Sequence, residues 1–290
     1  MIGKDFLFWI LLVFQLRKSE AELAVAKLFS SGMVLQEAPS SAALFGTYSE
    51  APVIVSLLCD SFEEPVSLEA ELDDVNLRWS ATLPPVSSSS SCNISITSGA
   101  EEVLLEKVLF GDVWFCAGQS NMGWALGGIE NNTEEMENAK VYENIRMYRI
   151  DNQANPEPQY DLPEIRTGWL SWMSPSSEWP EGTDSHRPRP LADFSGICFL
   201  FARELSDHLG NKPLGLITSA YAGTRIEAWS PPDTLSTCGI EPFVDEKHPQ
   251  NSNSYLYNGM VAPVQGITIK GAVWYQVCWV LGVTGIYWAS

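Results

Sequence analysis

The chain has 290 residues, enough for one large or two ordinary domains, and a hydrophobic share of 45% that is normal for a globular protein. Its formal net charge of −19 argues against nucleic acid and anionic membrane surfaces as partners, because phosphates are neutralised by lysine and arginine patches that this composition lacks. The acidity mostly promotes solubility, and the eleven tryptophans are read first as core packing, with sugar contacts as the rarer use.

Residues 1–21 read as a signal peptide. Lys4 is a short basic start, and Phe6 to Phe14 is an apolar stretch too short to span a bilayer. Small residues at Ser19, Ala21, Ala24 and Ala26 place cleavage after Ala21, although Arg17-Lys18 is unusual so close to such a site. A secretory route fits the six cysteines, Cys59, Cys92, Cys116, Cys198, Cys238 and Cys278, an even count that suits an oxidising compartment and fixes no pairing. Cys116 and Cys198 lie in strongly apolar segments and are read as buried free thiols. Glycosylation triplets begin at Asn93 and Asn131.

Residues 22–107 carry short apolar alternations, such as Val53 to Leu58 and Asn93 to Ile96, between Gly, Pro and Ser breaks. That pattern predicts a β-sandwich domain, with Ser87 to Ser91 as a loop inside it. Glu63, Glu64, Glu69, Glu71, Asp73 and Asp74 alternate with Leu68, Ala70 and Leu72, as a half-exposed strand should, and read as a solvated face.

Residues 108–290 change to an α/β texture. Val113 to Cys116 is a buried strand, and Asn132 with Glu135 forms a capping box that predicts a helix over 133–142. Residues 151–190, rich in Pro, Trp and Ser, read as a long surface insertion. Phe194, Ile197, Cys198, Phe201, Leu205 and Leu209 recur at helical spacing, with Gly210 where a C-cap belongs. Leu214 to Ile217 and Ile267 to Tyr275 are the next strands. Residues 271–290 are uncharged; the reading is a buried strand over 271–276 followed by a short apolar end, in preference to a transmembrane tail. Strands alternating with helices imply a parallel sheet with helices on both faces.

Three predicted strands end in small or polar residues: at Gly118-Gln119-Ser120-Asn121, at Thr218 to Thr224, and at Trp274-Tyr275-Gln276. Carboxyl ends of parallel strands share one rim, where ligands bind. A serine at one end and a bare N–H at Gly223 can there form a nucleophile and half an oxyanion hole. The serine context is not Gly-x-Ser-x-Gly, which disfavours the α/β-hydrolase elbow.

The block Gly111-Asp112-Val113-Trp114-Phe115-Cys116-Ala117-Gly118-Gln119-Ser120-Asn121-Met122 resembles the first block of the sialate O-acetylesterases, a branch of the SGNH esterase superfamily. Gly32 to Gln36, Phe194 to Leu205, Gly215 to Ser219, Ala222 to Trp229, Leu256 to Met260 and Gly271 to Gln276 extend the resemblance over roughly residues 28–276. The resemblance implies an SGNH-type, flavodoxin-like parallel sheet after the β-sandwich. It implies an extracellular or lysosomal hydrolase that removes O-acetyl groups from sialic acids or related acetylated sugars, without metal or organic cofactor. Carried over by position, Ser120 is the nucleophile, and the N–H groups of Ser120 and Gly223 hold the oxyanion, with Gln276 shaping that side.

The chain departs from the family after Gln276, where Val277-Cys278-Trp279-Val280 replaces Gly-Glu-Ser-Asn. The resemblance then implies that the end of the α/β domain, with the late Asp-x-x-His segment whose histidine activates the serine, is missing, and that this form is impaired. Asp245 and His248 have Asp-x-x-His spacing, but they precede the third strand and read as surface residues, with a substitute base as the alternative. His208 suits the last turn of a helix, and His186 lies in the Pro-rich insertion. Ala222 stands where the family carries a first glycine before Gly223. The alternative to an esterase is a non-catalytic carbohydrate-binding or regulatory form.

Overall fold

The computed structural model of the chain describes residues 22–88, 91–163, 172–178 and 189–276. The leader read at 1–21, His186, Cys278 and the end at 277–290 lie outside the described residues. The first strands are β1 (Ala24–Val25), β2 (Val34–Gln36), β3 (Ala43–Thr47), β4 (Val53–Cys59), β5 (Val66–Glu69), β6 (Glu71–Asp73), β7 (Arg78–Thr82) and β8 (Ser91–Ser98). After β9 (Glu101–Gly118) come α1 (Ser120–Gly123), α2 (Asn132–Ala139), β10 (Ile145–Arg149), α3 (Pro190–Asp193), α4 (Gly196–His208), β11 (Leu214–Ala220), α5 (Pro232–Thr237) and β12 (Gly271–Tyr275).

These strands form two sheets. One is antiparallel, in the order β1-β3-β7-β6. The other is mixed and runs β10-β11-β9-β8-β4-β5, with β12 and β2 also on β9. Leu44, Trp79 and Ala81 of the first sheet share a core with Val53, Val55, Leu57, Ile94 and Ile96 of the second, as two layers must to hide their apolar faces.

β9 joins the antiparallel and the parallel architecture in one strand. Its first half pairs antiparallel with β8, from Glu101↔Ser98 to Leu109↔Ser91. Its second half pairs parallel with β11 over Asp112–Gly118 and with β12 over Trp114–Gly118. The boundary read between residues 107 and 108 falls inside this strand.

Side-chain alternation gives the parallel strands two buried faces. Cys116, Leu214, Leu216, Ile145 and Met147 face a core with Phe194, Cys198, Phe199 and Ala202. Val113, Ile217 and Tyr148 face the opposite core with Trp229, Leu256 and Met260. The fold is therefore α/β, as the sequence implies.

Four local expectations change. The capping box does not form: α2 starts after Asn131, which sits at φ 58° with no side-chain cap, and ends at Ala139. Arg203 takes the Glu135 carboxylate instead, a tertiary partner that outcompetes the local one. Helix α4 buries Cys198, Phe199, Ala202 and Ser206 and leaves Ile197 exposed, with Leu209 exposed just past its end; the seam that meets Cys116, Met147 and Leu216 lies about one residue round from the expected one. The described part of the stretch read as a surface insertion at 151–190 is partly buried. Trp172 donates from Nε1 to the Leu28 carbonyl at 2.8 Å, and Met173 pairs with Met147 through both backbone bonds. Finally, β12 is half-exposed rather than buried, since among the described residues β9 is its one strand partner.

The amino-terminal end of the parallel strands is held by charge. The Asp112 side chain is 5% exposed, with Lys212 Nζ at 2.9 Å and Lys270 Nζ at 3.6 Å. Gln36 donates from Nε2 to Asp112 at 3.2 Å and accepts the Val113 N–H at 3.0 Å. Burial pushes the Asp112 carboxyl up, but the bonds from Lys212 and Gln36 outweigh it and hold it below the ordinary carboxylate range. A depressed folded pKa stabilises the fold above the unfolded value, and the gain is lost as pH falls through the folded value. Asp112→Asn should therefore cost about 2 kcal/mol at neutral pH, the worth of a hydrogen bond to a charged group, and progressively less below about pH 4. Urea unfolding of both forms across that range checks this; a cost independent of pH would exclude the ion pair as its source.

Candidate active site

The three strand ends named from the sequence meet. Gly118 of β9 stands beside Ala220 of β11 and Tyr275 of β12 in register. Tyr221 donates its N–H to the Gly118 carbonyl at 3.1 Å, and Gln119 donates its N–H to the Tyr275 carbonyl at 3.2 Å. Gly118 has φ +145°, and a Cβ there would lie 2.2 Å from the Tyr275 carbonyl oxygen. No side chain fits between these backbones, so the strand end before the serine has to be glycine.

One helical turn, α1, then sets the serine outward. Ser120 is exposed, whereas Met122 is fully buried. The turn is fastened from behind by the start of α4. Ser195 donates from Oγ to the Met122 carbonyl at 2.5 Å and accepts the Cys198 N–H at 3.2 Å as the N-cap. Gly196 donates its N–H to the Trp124 carbonyl at 2.8 Å.

A disulfide completes this support. Cys116 and Cys198, expected as free thiols, are bonded to each other. Their apolar surroundings are those of a buried cross-link, which sequence cannot separate from two buried thiols. Cys59 and Cys92 form a second bridge between β4 and β8, and Cys238 is exposed and has no disulfide partner among the described residues.

The Gly223 turn is held from several sides. Thr224 donates from Oγ1 to the Tyr221 carbonyl at 2.8 Å and accepts from Trp229 Nε1 at 3.0 Å. Trp229 packs edge-on against Trp274 of β12, centroids 5.7 Å apart. Arg225 bonds Glu227 through Nε at 3.2 Å and Nη2 at 3.1 Å. Burial pushes the Glu227 carboxyl up, but Arg225 outweighs it and holds it below the ordinary range. Gly223 itself is exposed with φ +70°, a conformation that favours glycine.

Gln276 ties this turn to the third strand. Its Nε2 donates to the Thr224 carbonyl at 2.8 Å, which engages the amide nitrogen in placing the turn. Its Oε1 is buried without a hydrogen-bond partner among the described residues. Ser120, the Gly223 turn and Gln276 thus stand on one rim.

Asp245 and His248 are not brought to the serine. The Asp245 carboxylate accepts the N–H groups of Lys247 at 3.0 Å and His248 at 2.9 Å, and His248 is exposed. Neither residue lines the cleft that contains Ser120. His208 ends α4 and is exposed. The sequon residues Asn93 and Asn131 are both exposed. Among the described residues no group of three or more His, Cys, Asp or Glu side chains is placed to hold a metal, and no helix is long and apolar enough to cross a membrane.

The cleft beside Ser120 has a volume of about 510 Å³ and includes Trp124, Arg149, Asn152, Asp193 and Thr218. Sequence reading missed Arg149 because it missed β10. The signal was there: Ile145 and Met147 alternate with Arg146 and Tyr148, the period of a strand.

A family profile described as carbohydrate esterase, sialic acid-specific acetylesterase, matches residues 110–278. Sialate O-acetylesterase of Mus musculus is 30% identical over 285 residues, which cover 87% of this chain and 51% of that protein. The Homo sapiens sialate O-acetylesterase is 30% identical over 261 residues, covering 87% and 48%. The chain therefore spans about half the length of the curated relatives it matches. A crystal structure of a carbohydrate acetylesterase from Xanthomonas citri superimposes with a TM-score of 0.69 at 24% identity, over 87% of this chain and 50% of that one.

Proposed function

The chain belongs to the sialic acid-specific acetylesterase family of carbohydrate esterases, and from that premise we propose that its site serves to remove O-acetyl groups from sialic acids or related acetylated sugars, with Ser120 as nucleophile. The observation that carries this reading is the joining of three strand ends, bearing Ser120, Gly223 and Gln276, on one rim.

In this mechanism Ser120 Oγ attacks the acetyl carbonyl carbon and yields its proton to a base. The carbonyl oxygen becomes an oxyanion, received by the N–H groups of Ser120 and Gly223. Collapse breaks the ester C–O bond, and the sugar hydroxyl leaves with a proton. Water then releases acetate from the acetyl-serine. Gln276 is a positioning residue, acting through the Thr224 carbonyl.

The mechanism requires a base. Among the described residues, neither His208 nor His248 is bonded to Ser120 and neither lines its cleft. A serine without an imidazole is a poor nucleophile at neutral pH. We infer that the chain turns over esters near background, and that observation also favours the second reading, carbohydrate binding without hydrolysis. Two disulfides and two exposed sequon asparagines support a secretory route, extracellular or lysosomal.

Two measurements on the purified chain test this. Prolonged exposure to a fluorophosphonate, which phosphonylates a serine oxygen with loss of fluoride, should place the adduct on Ser120 by peptide mass mapping, and Ser120→Ala should remove it. An adduct confined to other residues would sink the nucleophile assignment. Hydrolysis of p-nitrophenyl acetate should be indistinguishable from that of Ser120→Ala. A substantial serine-dependent rate would overturn the missing-base inference, and His248→Ala would then be the next variant.

A further inference from the structure

The cleft beside Ser120 holds a cation that ester chemistry does not use. β10 ends at Arg149, in register with Thr218 of β11, and Arg149 lines the same cleft as Ser120 and Trp124. Arg149 is half-buried and donates one N–H from Nη1 to the Asp193 carbonyl oxygen at 3.3 Å. Among the described residues it forms no ion pair. A guanidinium presents five N–H groups in a planar fork that matches a carboxylate. In a chain of net charge −19, an arginine beside a nucleophile with no carboxylate partner among the described residues is placed for an anion. Asp193 lines the cleft too, and a carboxylate there suits a ligand that carries hydroxyl donors beside its anion.

Trp124 supplies the second observation. It follows Ser120 by one helical turn and is 59% exposed at the cleft lip. A Cβ at Gly128 would stand 3.1 Å from Trp124 Nε1, so the glycine gives the indole room beside that turn. An aromatic face left in water at a cleft lip is a stacking surface for a sugar ring.

We propose that Arg149 is the specificity-determining residue of this cleft, binding the carboxylate of an acidic sugar while the ring stacks on Trp124 and the ester lies over Ser120. The proposal rests on the reading of Ser120 as nucleophile. The test is isothermal titration of the full chain with N-acetylneuraminate and, separately, with its methyl ester, which lacks the charge. The free acid is expected to bind about ten- to a hundredfold more tightly than the methyl ester. Arg149→Gln should erase that difference, and Trp124→Ala should weaken both ligands alike. Equal binding of acid and methyl ester, no binding of the acid, or a preference that survives Arg149→Gln would each overturn the proposal. An unchanged melting temperature excludes unfolding as the cause, and the acid-to-ester ratio of the unaltered chain decides the matter even if the variant fails to fold. Fluorophosphonate mapping on the unaltered chain separates the two ideas. An adduct on Ser120 with equal binding of both ligands removes the role of Arg149 alone; an adduct confined to other residues removes the nucleophile reading itself.

Discussion

Gly118→Ala should lower the stability of the chain by about 3 kcal/mol or more. The added methyl would lie 2.2 Å from the Tyr275 carbonyl oxygen, and the obstacle is backbone rather than a flexible side chain. The residue would also keep φ +145°, a conformation that costs a residue with a Cβ about 1–3 kcal/mol. The cheapest relief is for β12 to move away from β9. That would break the Gln119-to-Tyr275 bond and pull Gln276 from the Thr224 carbonyl. Trp274 would leave Trp229, so the loss should be visible in tryptophan fluorescence during urea unfolding. A variant with unchanged stability and spectrum would mean that the three strand ends are not packed as described.

Removing the Cys116–Cys198 bridge by the double substitution to serine should cost about 2–5 kcal/mol. The bridge closes a span of 82 residues, against 33 for Cys59–Cys92. In the loop-entropy account the longer loop is worth about 0.8 kcal/mol more. Cys59 and Cys92 also sit opposite each other on paired strands, which constrains them already. Cys116, by contrast, is joined to a helix that reaches it through no strand pairing. Its loss should also loosen the turn that carries Ser120, because Ser195 and Cys198 share the first turn of α4. Denaturation of the double variants of each bridge, side by side, checks the order. A larger loss from Cys59 and Cys92 would show that the Ser120 turn is held by packing instead.

The site was legible to the extent that it depends on chemistry written in one segment. Ser120 after an apolar strand, Gly223 in a turn and Gln276 at a strand end could be named because each sits in a short, distinctive run. Their meeting follows from parallel topology, which strand and helix alternation implies. What could not be read were contacts between distant segments. The Glu135 carboxylate meets Arg203, Cys116 meets Cys198, and Trp172 reaches Leu28; nothing local distinguishes these from a capping residue, a free thiol or a surface aromatic. Arg149 was lost for another reason. β10 is five residues long, and its period of two, though present, spans too few residues to stand out from the charged stretch around it.

The double membership of β9 bears on how the chain is made. Its first half can pair with β8 as soon as Glu101–Leu109 is synthesised. Its second half, Asp112–Gly118, must wait for β11 at Leu214–Ala220 and β12 at Gly271–Tyr275. Throughout the synthesis of residues 119–213 the nascent chain holds an apolar strand with open edges, fixed in place by a sheet already formed. Such a strand invites the wrong partner. The same rigidity that later presents Ser120 therefore makes the ribosome-bound intermediate dependent on whatever shields that edge.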